Sequence, residues 1–201
     1  VLDMGCGNGF IAEYLSDASG AHVTGVDFIP DAIRQAQERT RDKSDRLDFR
    51  VGDMARLDFP PASFDIIVSI DTLYFTPLDE TVRQIKALLK PGGQMAIFYS
   101  YGREPWVPRD TFPTESTLPD ATPLARALRA NGLAYETVDY TDDDYQHALR
   151  KRVVAEELHA AFEAEGNLFL YENHYGEAVG VAAAIEEGAH RRYLYHVRLP
   201  W

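Results

Sequence analysis

Cysteine is nearly absent. Cys6 is the one thiol among 201 residues, which excludes an internal disulfide framework and suits a reducing cytoplasm. Long apolar runs are missing as well: no stretch reaches the roughly 20 residues that a membrane-spanning helix requires, and no signal peptide opens the chain. Basic charge is scarce, with 20 Lys and Arg against 32 Asp and Glu and a net charge of -12. A protein that grips duplex nucleic acid needs a basic footprint. The two short clusters present, Arg150-Lys151-Arg152 and Arg191-Arg192, read as solvated ends of helices or strands. The partner is therefore expected to be a small molecule, with no nucleic acid and no membrane. No metal site is assigned, and nothing in the sequence fixes an oligomeric state. The first residue is Val1 rather than Met, and it opens directly on a strand, which implies residues upstream.

What is present is a globular composition, 45% hydrophobic and 26% charged, of a length that suits one domain with an embellishment. Its first ten residues are the most informative. Val1 and Leu2 form a short apolar strand that ends in Asp3. A loop follows with glycine at alternate positions, Gly5, Gly7 and Gly9, with Cys6 and Asn8 between them. Phe10 to Leu15 then reads as the start of a helix. Glycines at this spacing let a ligand approach bare backbone, and the helix N-terminus supplies unpaired N–H groups. Two cofactor classes use such a loop. Dinucleotide folds prefer G-x-G-x-x-G with a pyrophosphate on the helix dipole. Here the pattern is G-x-G-x-G, and Phe10 stands where the third glycine would be.

Strands and helices alternate over the first hundred residues. A helix from about Gly9 to Ser16 follows the first strand. His22–Asp27 is the second strand, and Pro30 opens the second helix at a position proline favours. Leu47, Phe49 and Val51 alternate with polar residues as a third strand should. Phe64–Asp71 is an apolar run that suits a strand buried on both faces. Val82, Ile85, Leu88 and Leu89 form a helical stripe closed by Lys90-Pro91-Gly92-Gly93, and Gln94–Tyr101 is the fifth strand. This alternation implies right-handed crossovers and a parallel sheet. Asp3, Asp27, Asp53 and Asp71 all fall at carboxyl ends of strands, the edge where open α/β sheets bind ligands. Residues 103–121 read as a surface loop, and Tyr135–Tyr140 as a sixth strand. A long helix spans about Asp142 to Glu165, with apolar contacts at Tyr145, Leu149, Val153 and Phe162. A second helical stretch, Leu168 to Glu187, is expected to be interrupted near Gly176 and Gly180. Arg192–Leu199 alternates cleanly as a last strand.

Five segments in order resemble the class I S-adenosylmethionine-dependent methyltransferases of small-molecule type. They are Val1-Leu-Asp-Met-Gly-Cys-Gly-Asn-Gly9, Val23-Thr-Gly-Val-Asp27, Gly52-Asp-Met54, Ser63-Phe-Asp-Ile-Ile-Val-Ser69 and Leu88-Leu-Lys-Pro-Gly-Gly93. The resemblance covers about the first half of the chain. It implies a Rossmann-like, doubly wound α/β fold: a seven-stranded sheet of order 3-2-1-4-5-7-6 with the last strand antiparallel. On this reading residues 1–201 are a single domain, truncated at the N-terminus, and 142–190 is a helical insertion that caps the acceptor pocket. The implied cofactor is S-adenosyl-L-methionine. Gly5, Cys6, Gly7, Asn8 and Gly9 would border its methionine and ribose parts, and Asp3 would order the loop or reach the methionine amino group. Asp27 would take the ribose hydroxyls, since one carboxylate offers two acceptor oxygens to a cis-diol. Phe28, Asp53 and Met54 would surround the adenine, and Ser69 and Ile70 would lie near the sulfonium.

Asp71 and Tyr74 are the candidate catalytic residues, beside the transferred methyl. Asp71 could be a base, or a loop anchor or helix cap. Tyr74 could orient the acceptor or only pack. The aromatics of the late helices (Tyr145, Phe162, Phe169, Tyr171, Tyr175) could line an acceptor cavity, or pack the helices together. His147, His159 and His174 read more simply as surface or core residues than as bases. Two other functions share the glycine loop: an NAD(P)-dependent oxidoreductase, and a non-catalytic cofactor-binding module of the same fold.

Overall fold

A computed structural model of the chain describes every residue except Pro105. Seven strands form one sheet of order 3-2-1-4-5-7-6: β1 (Leu2–Met4), β2 (Val23–Asp27), β3 (Leu47–Val51), β4 (Phe64–Ile70), β5 (Leu89–Gly102), β6 (Glu136–Asp139) and β7 (His190–Arg198). The pairings β1–β2, β1–β4, β2–β3 and β4–β5 are parallel, and β7 is antiparallel. The order reverses beside β1, whose two neighbours are β2 and β4. In open α/β sheets such a reversal leaves a crevice at the carboxyl ends of the strands.

Two compact units divide the chain. The first comprises Val1–Tyr99, Pro123–Thr137 and Leu194–Trp201. It contains α1 (Phe10–Ser19), α2 (Pro30–Arg39), α3 (Leu78–Leu88) and α4 (Pro123–Ala130). Helices α1 and α2 present small residues, Ala12, Ser16, Ala32 and Ala36, to the interior, so the helices lie close to the sheet. Cys6, Ala12, Val23, Ile33, Ala36, Leu47 and Phe49 pack there as one cluster. Pro30 sits in the first turn of α2, where its missing N–H costs nothing. Gly20 ends α1 in the left-handed conformation, its N–H donating to the Ser16 carbonyl.

The second unit, Ser100–Thr122 and Val138–Tyr193, is built on α5 (Thr141–Ala164) and α6 (Leu168–Glu186). These helices meet through alanine: Ala148, Ala155, Ala178 and Ala182 are buried. Asp144 is buried with them and accepts from Arg192 Nη1 at 2.9 Å, with His190 Nε2 3.3 Å away. Burial alone would raise its pKa, but the bonds from His190 and Arg192 outweigh that and hold it below the ordinary carboxylate value. Arg103 reaches Glu187 at 3.1 Å, so the surface loop and the end of α6 share an ion pair.

Several boundaries differ from those expected. Residues 90–93 do not end the α3 stripe as a turn; they belong to β5. Their backbone is taken up by the end of the chain, where Leu199 N–H donates to the Gly93 carbonyl and Gly92 N–H to the Pro200 carbonyl. Helix α6 runs unbroken through Gly176 and Gly180. Each glycine costs about 1 kcal/mol in a helix, and burial of Ala178 and Ala182 against α5 offsets it. Val153, expected on the inner face of α5, is 47% exposed; the inner positions are Asp144, Ala148 and Ala155. The loop over 103–121 contains two short 3-10 turns, Arg109–Thr111 and Thr114–Thr117.

Candidate functional site

The loop after β1 is held from several directions. Gly5 and Cys6 N–H both donate to the Val26 carbonyl, at 2.8 and 3.1 Å, and Gly9 N–H donates to the Cys6 carbonyl at 2.8 Å. Arg39 Nη1 donates to the Asn8 carbonyl at 2.6 Å, and Asn8 Nδ2 to Gln35 at 3.1 Å. Asn8 therefore faces α2. The three glycines, expected to serve one purpose, serve different ones. A Cβ at Gly9 would strike the Phe49 ring at 2.5 Å, and one at Gly5 would strike the Thr72 side chain at 2.5 Å. Those two keep their small size for the fold. Gly7 alone of the three faces open space, with φ +50 and nothing within 4 Å of where a Cβ would stand. The cradle a cofactor could enter is the one in front of Gly7.

Asp27 closes this cradle at the end of β2. It is 7% exposed. Its Oδ2 accepts from Gly7 N–H at 2.8 Å and its Oδ1 from Ile29 N–H at 2.9 Å. Both oxygens keep a second lone pair, so the carboxylate is fixed by the backbone yet can still accept. Asp3 lies deeper, at 2% exposure. Its carboxyl takes the Ala12 amide, and Oδ2 has no partner. Burial, then the like charge of Asp27, push its pKa up to about 7, against the opposing Ala12 bond. Cys6 is buried beside them, and burial, then Asp3 and Asp27, push its thiol up to about 12. That favours the neutral thiol at Cys6 and makes it a small side chain of the loop. No Lys, Arg or His pairs with Asp3 or Asp27 among the described residues. Arg39, near the loop, is committed to Glu13 at 3.1 Å, to the Asn8 carbonyl and to the face of Phe10.

The outer rim is formed by the ends of β2 and β3. Phe28 is 63% exposed. Asp53 is exposed, and its Oδ1 accepts from Ala55 N–H at 2.8 Å, an Asx-type turn. Met54 is buried, with its carbonyl accepting from Gln84 Nε2 at 2.8 Å. Gln84 also accepts from Leu57 N–H at 2.8 Å. This α3 side chain thus clamps both ends of the turn that carries Asp53. Sequence reasoning passed over it because a glutamine inside a helix gives no signal of a distant backbone partner.

On the other side of β1 lies the turn after β4. Thr72 Oγ1 donates to the Met4 carbonyl at 2.9 Å and lies 2.7 Å from Ser69 Oγ. A hydroxyl has one proton, so Ser69 donates to Thr72. Ser69 is fully buried and Ile70 half-buried. Asp71 has φ +54, a conformation that costs an ordinary residue about 1–2 kcal/mol. Asp71 N–H donates to the Phe98 carbonyl at 3.1 Å. Tyr74 OH donates to Asp71 Oδ1 at 2.6 Å, and its ring lies 5.0 Å from that of Tyr99. Strain of this kind concentrates where function requires a fixed geometry. The sequence signalled Asp71 and Tyr74 but not Thr72.

In the second unit the late aromatics pack on one another. The Tyr171 ring lies 4.5 Å from His159, 6.3 Å from Phe162 and 5.6 Å from Tyr175. Tyr145 OH donates to Glu186 at 2.6 Å, and Phe169 is exposed.

Residues 1–93 match the family model described as a methyltransferase domain. A 27-O-demethylrifamycin SV methyltransferase of Amycolatopsis mediterranei is 34% identical over 100 residues, 48% of this chain and 37% of that protein. Phosphoethanolamine N-methyltransferase 1 of Zea mays is 29% identical over 159 residues, 76% of this chain and 32% of that protein. The chain thus spans about a third of the length of these curated relatives. Among solved structures, the Haemonchus contortus phosphoethanolamine N-methyltransferase 2, in complex with phosphomonomethylethanolamine and S-adenosylhomocysteine, superposes with a TM-score of 0.83 at 23% identity. It covers 100% of this chain and 48% of its own. The geranyl diphosphate C-methyltransferase of Streptomyces coelicolor A3(2) gives 0.72 at 15% identity, covering 98% of this chain and 69% of its own. At such identities the likeness is one of fold.

Proposed function

We propose that this chain is a class I S-adenosylmethionine-dependent methyltransferase, which binds S-adenosyl-L-methionine in the cradle of Gly7 and methylates a small-molecule acceptor by in-line displacement; the match of residues 1–93 to a methyltransferase domain supports this reading. The observation that carries this reading is the pair Asp3 and Asp27. They are two buried acids close enough to act on each other, one with an unpartnered oxygen, and no cation among the described residues is paired with either. A ligand with a positive amino-acid end satisfies that site. The dinucleotide reading lacks the third glycine of its loop, since Phe10 stands at that position. Four residues of the cradle therefore fit the cofactor: Asp3, Asp27, Gly7 with its open face, and Asp53 on the rim.

The bound cofactor supplies a methyl group on a positively charged sulfur whose departure as a neutral thioether is easy. The chain's own work is positioning, worth roughly 7–11 kcal/mol in small-molecule reactions. Asp27, pinned by the Gly7 and Ile29 amides, presents its free lone pairs to the ribose diol. Asp53 has one oxygen free of the Ala55 turn and accepts from the adenine amine, and Phe28 and Met54 flank the ring. Gly5, Cys6, Asn8 and Gly9 keep the loop in shape behind Gly7. Ser69 and Ile70 border the sulfonium, and Asp71 and Tyr74 meet the acceptor. Where the acceptor arrives protonated, the Tyr74–Asp71 hydrogen bond offers a carboxylate to receive that proton. The lone buried thiol of Cys6 fits a reducing cytoplasm.

Titration calorimetry tests the reading. S-adenosylhomocysteine is expected to bind and NADH not to; binding of NADH alone would overturn it. Transfer of labelled methyl groups across a panel of small amines, phenols, thiols and activated carbons then identifies the acceptor.

A further inference from the structure

Asp3 is the most buried titratable group around the glycine loop, more so than Asp27 or Cys6, and the cofactor reading above does not specify its protonation. Its surroundings do. From β2 it faces Asp27; from the glycine loop, the Cys6 thiol; from α1, only the Ala12 amide. The nearby hydroxyls of Ser69 and Thr72 are occupied with each other and with the Met4 carbonyl. A carboxylate at 2% exposure with one oxygen unpartnered and a second acid as neighbour is unfavourable. A neutral carboxylic acid is not.

Resting on the proposed cofactor site, we infer that Asp3 is protonated in the free chain and loses its proton when the ligand's ammonium group arrives. The Asp3 O–H bond breaks, the proton leaves to solvent, and the carboxylate formed accepts from the ammonium. The buried carboxylate thereby gains the partner it lacks, and the cradle selects ligands that bring a cation. A ligand without one, such as adenosine, leaves the proton in place. With the Asp3 pKa pushed up to about 7, this exchange falls mostly below the range in which an α-amino group titrates, so that at pH 6 and 7 the ligand arrives chiefly as the ammonium.

Calorimetric titration of the full chain with S-adenosylhomocysteine, in phosphate and in Tris buffer, reads the proton count from the difference in apparent enthalpy. The expected release is about half a proton at pH 7 and nearly one at pH 6, with affinity rising about five- to tenfold from pH 6 to pH 7. Adenosine is expected to bind with no release. Asp3→Asn is expected to show equal enthalpies in both buffers and an affinity flat with pH. Equal enthalpies in the unsubstituted chain at pH 6 would overturn the inference while leaving the cofactor site standing. Failure of S-adenosylhomocysteine to bind at any pH would overturn the site reading instead. The protonation is then still read directly, from the Asp3 carboxyl carbon resonance of the free chain: a midpoint near 7 supports it, and one below 5 refutes it.

Discussion

Thr72 occupies the space that a side chain on Gly5 would need. A Cβ at Gly5 would lie 2.5 Å from Thr72 Cγ2, while the Thr72 hydroxyl bonds the Met4 carbonyl one residue earlier. The loop after β1 and the turn after β4 are thereby joined by contact and by hydrogen bond, although Gly5 and Thr72 stand 67 positions apart in sequence. Two halves of the proposed site, the cofactor cradle and the acceptor turn, share this joint.

Gly5→Ala and Gly7→Ala separate folding from binding. At Gly5 a methyl group meets Thr72 and needs φ +76, so both overpacking and left-handed strain apply, together roughly 2–4 kcal/mol. At Gly7 the methyl group enters open space and only the strain remains, about 1 kcal/mol. Urea denaturation is expected to show the larger loss for Gly5→Ala. Calorimetry is expected to show Gly7→Ala losing at least tenfold in S-adenosylhomocysteine affinity with most of its stability kept. Unchanged affinity in Gly7→Ala would move the ligand away from this cradle.

Asp27→Ala tests the ribose anchor. The substitution removes the acceptor of the Gly7 and Ile29 amides, bonds to a charged group worth about 1.5–3 kcal/mol each before relaxation and water make up part of the loss. Affinity for S-adenosylhomocysteine is expected to fall at least tenfold. A folded Asp27→Ala chain with unaltered affinity would take Asp27 out of the ribose role.

Asp71→Gly tests whether the strained turn serves the reaction. Glycine accepts φ +54 without the penalty Asp71 bears, so stability is expected to be unchanged or up by about 1 kcal/mol. The carboxylate that Tyr74 addresses is gone. Methyl-transfer kcat is expected to fall, with S-adenosylhomocysteine affinity unaltered. Loss of affinity equal to the loss of kcat would place Asp71 on the cofactor side.

Much of the first half of this structure was legible because its signals are local. Asp3, Asp27 and Asp53 each lie at or within two residues of a strand's carboxyl end, and a strand end with Gly or Pro close by reads as a turn at the ligand-binding edge. Asp71 reads the same way from the apolar run before it. Contacts between distant segments left no such trace. That Gly9 makes room for Phe49 and Gly5 for Thr72 depends on which strands become neighbours, and three glycines in alternation look alike until the sheet is assembled. Gln84 is of the same kind, since its two backbone partners lie about 30 residues away. In α6 the local signal pointed the wrong way: Gly176 and Gly180 read as breaks, and burial of Ala178 and Ala182 outweighed them.

The pH dependence of stability follows from Asp3 with a definite sign. Its pKa is about 7 in the folded chain, against an ordinary value of 3.8. The folded state therefore holds a proton between those values that the unfolded state has released. Stability contributed by that proton is full below the unfolded value, declines as pH rises, and is gone above about 7, a change on the order of 4 kcal/mol. Asn at this position carries no titrating proton. The difference in unfolding free energy between the unsubstituted chain and Asp3→Asn is expected to shift in favour of Asp3→Asn as pH rises from 5 to 8, with no such shift above pH 8. Saturating S-adenosylhomocysteine is expected to reverse it at pH 8, because only the native Asp3 can pair with the ammonium. Urea denaturation at pH 5, 6, 7 and 8, with and without ligand, measures both, and a difference that stays constant across the free-chain series would show that Asp3 is ionised throughout.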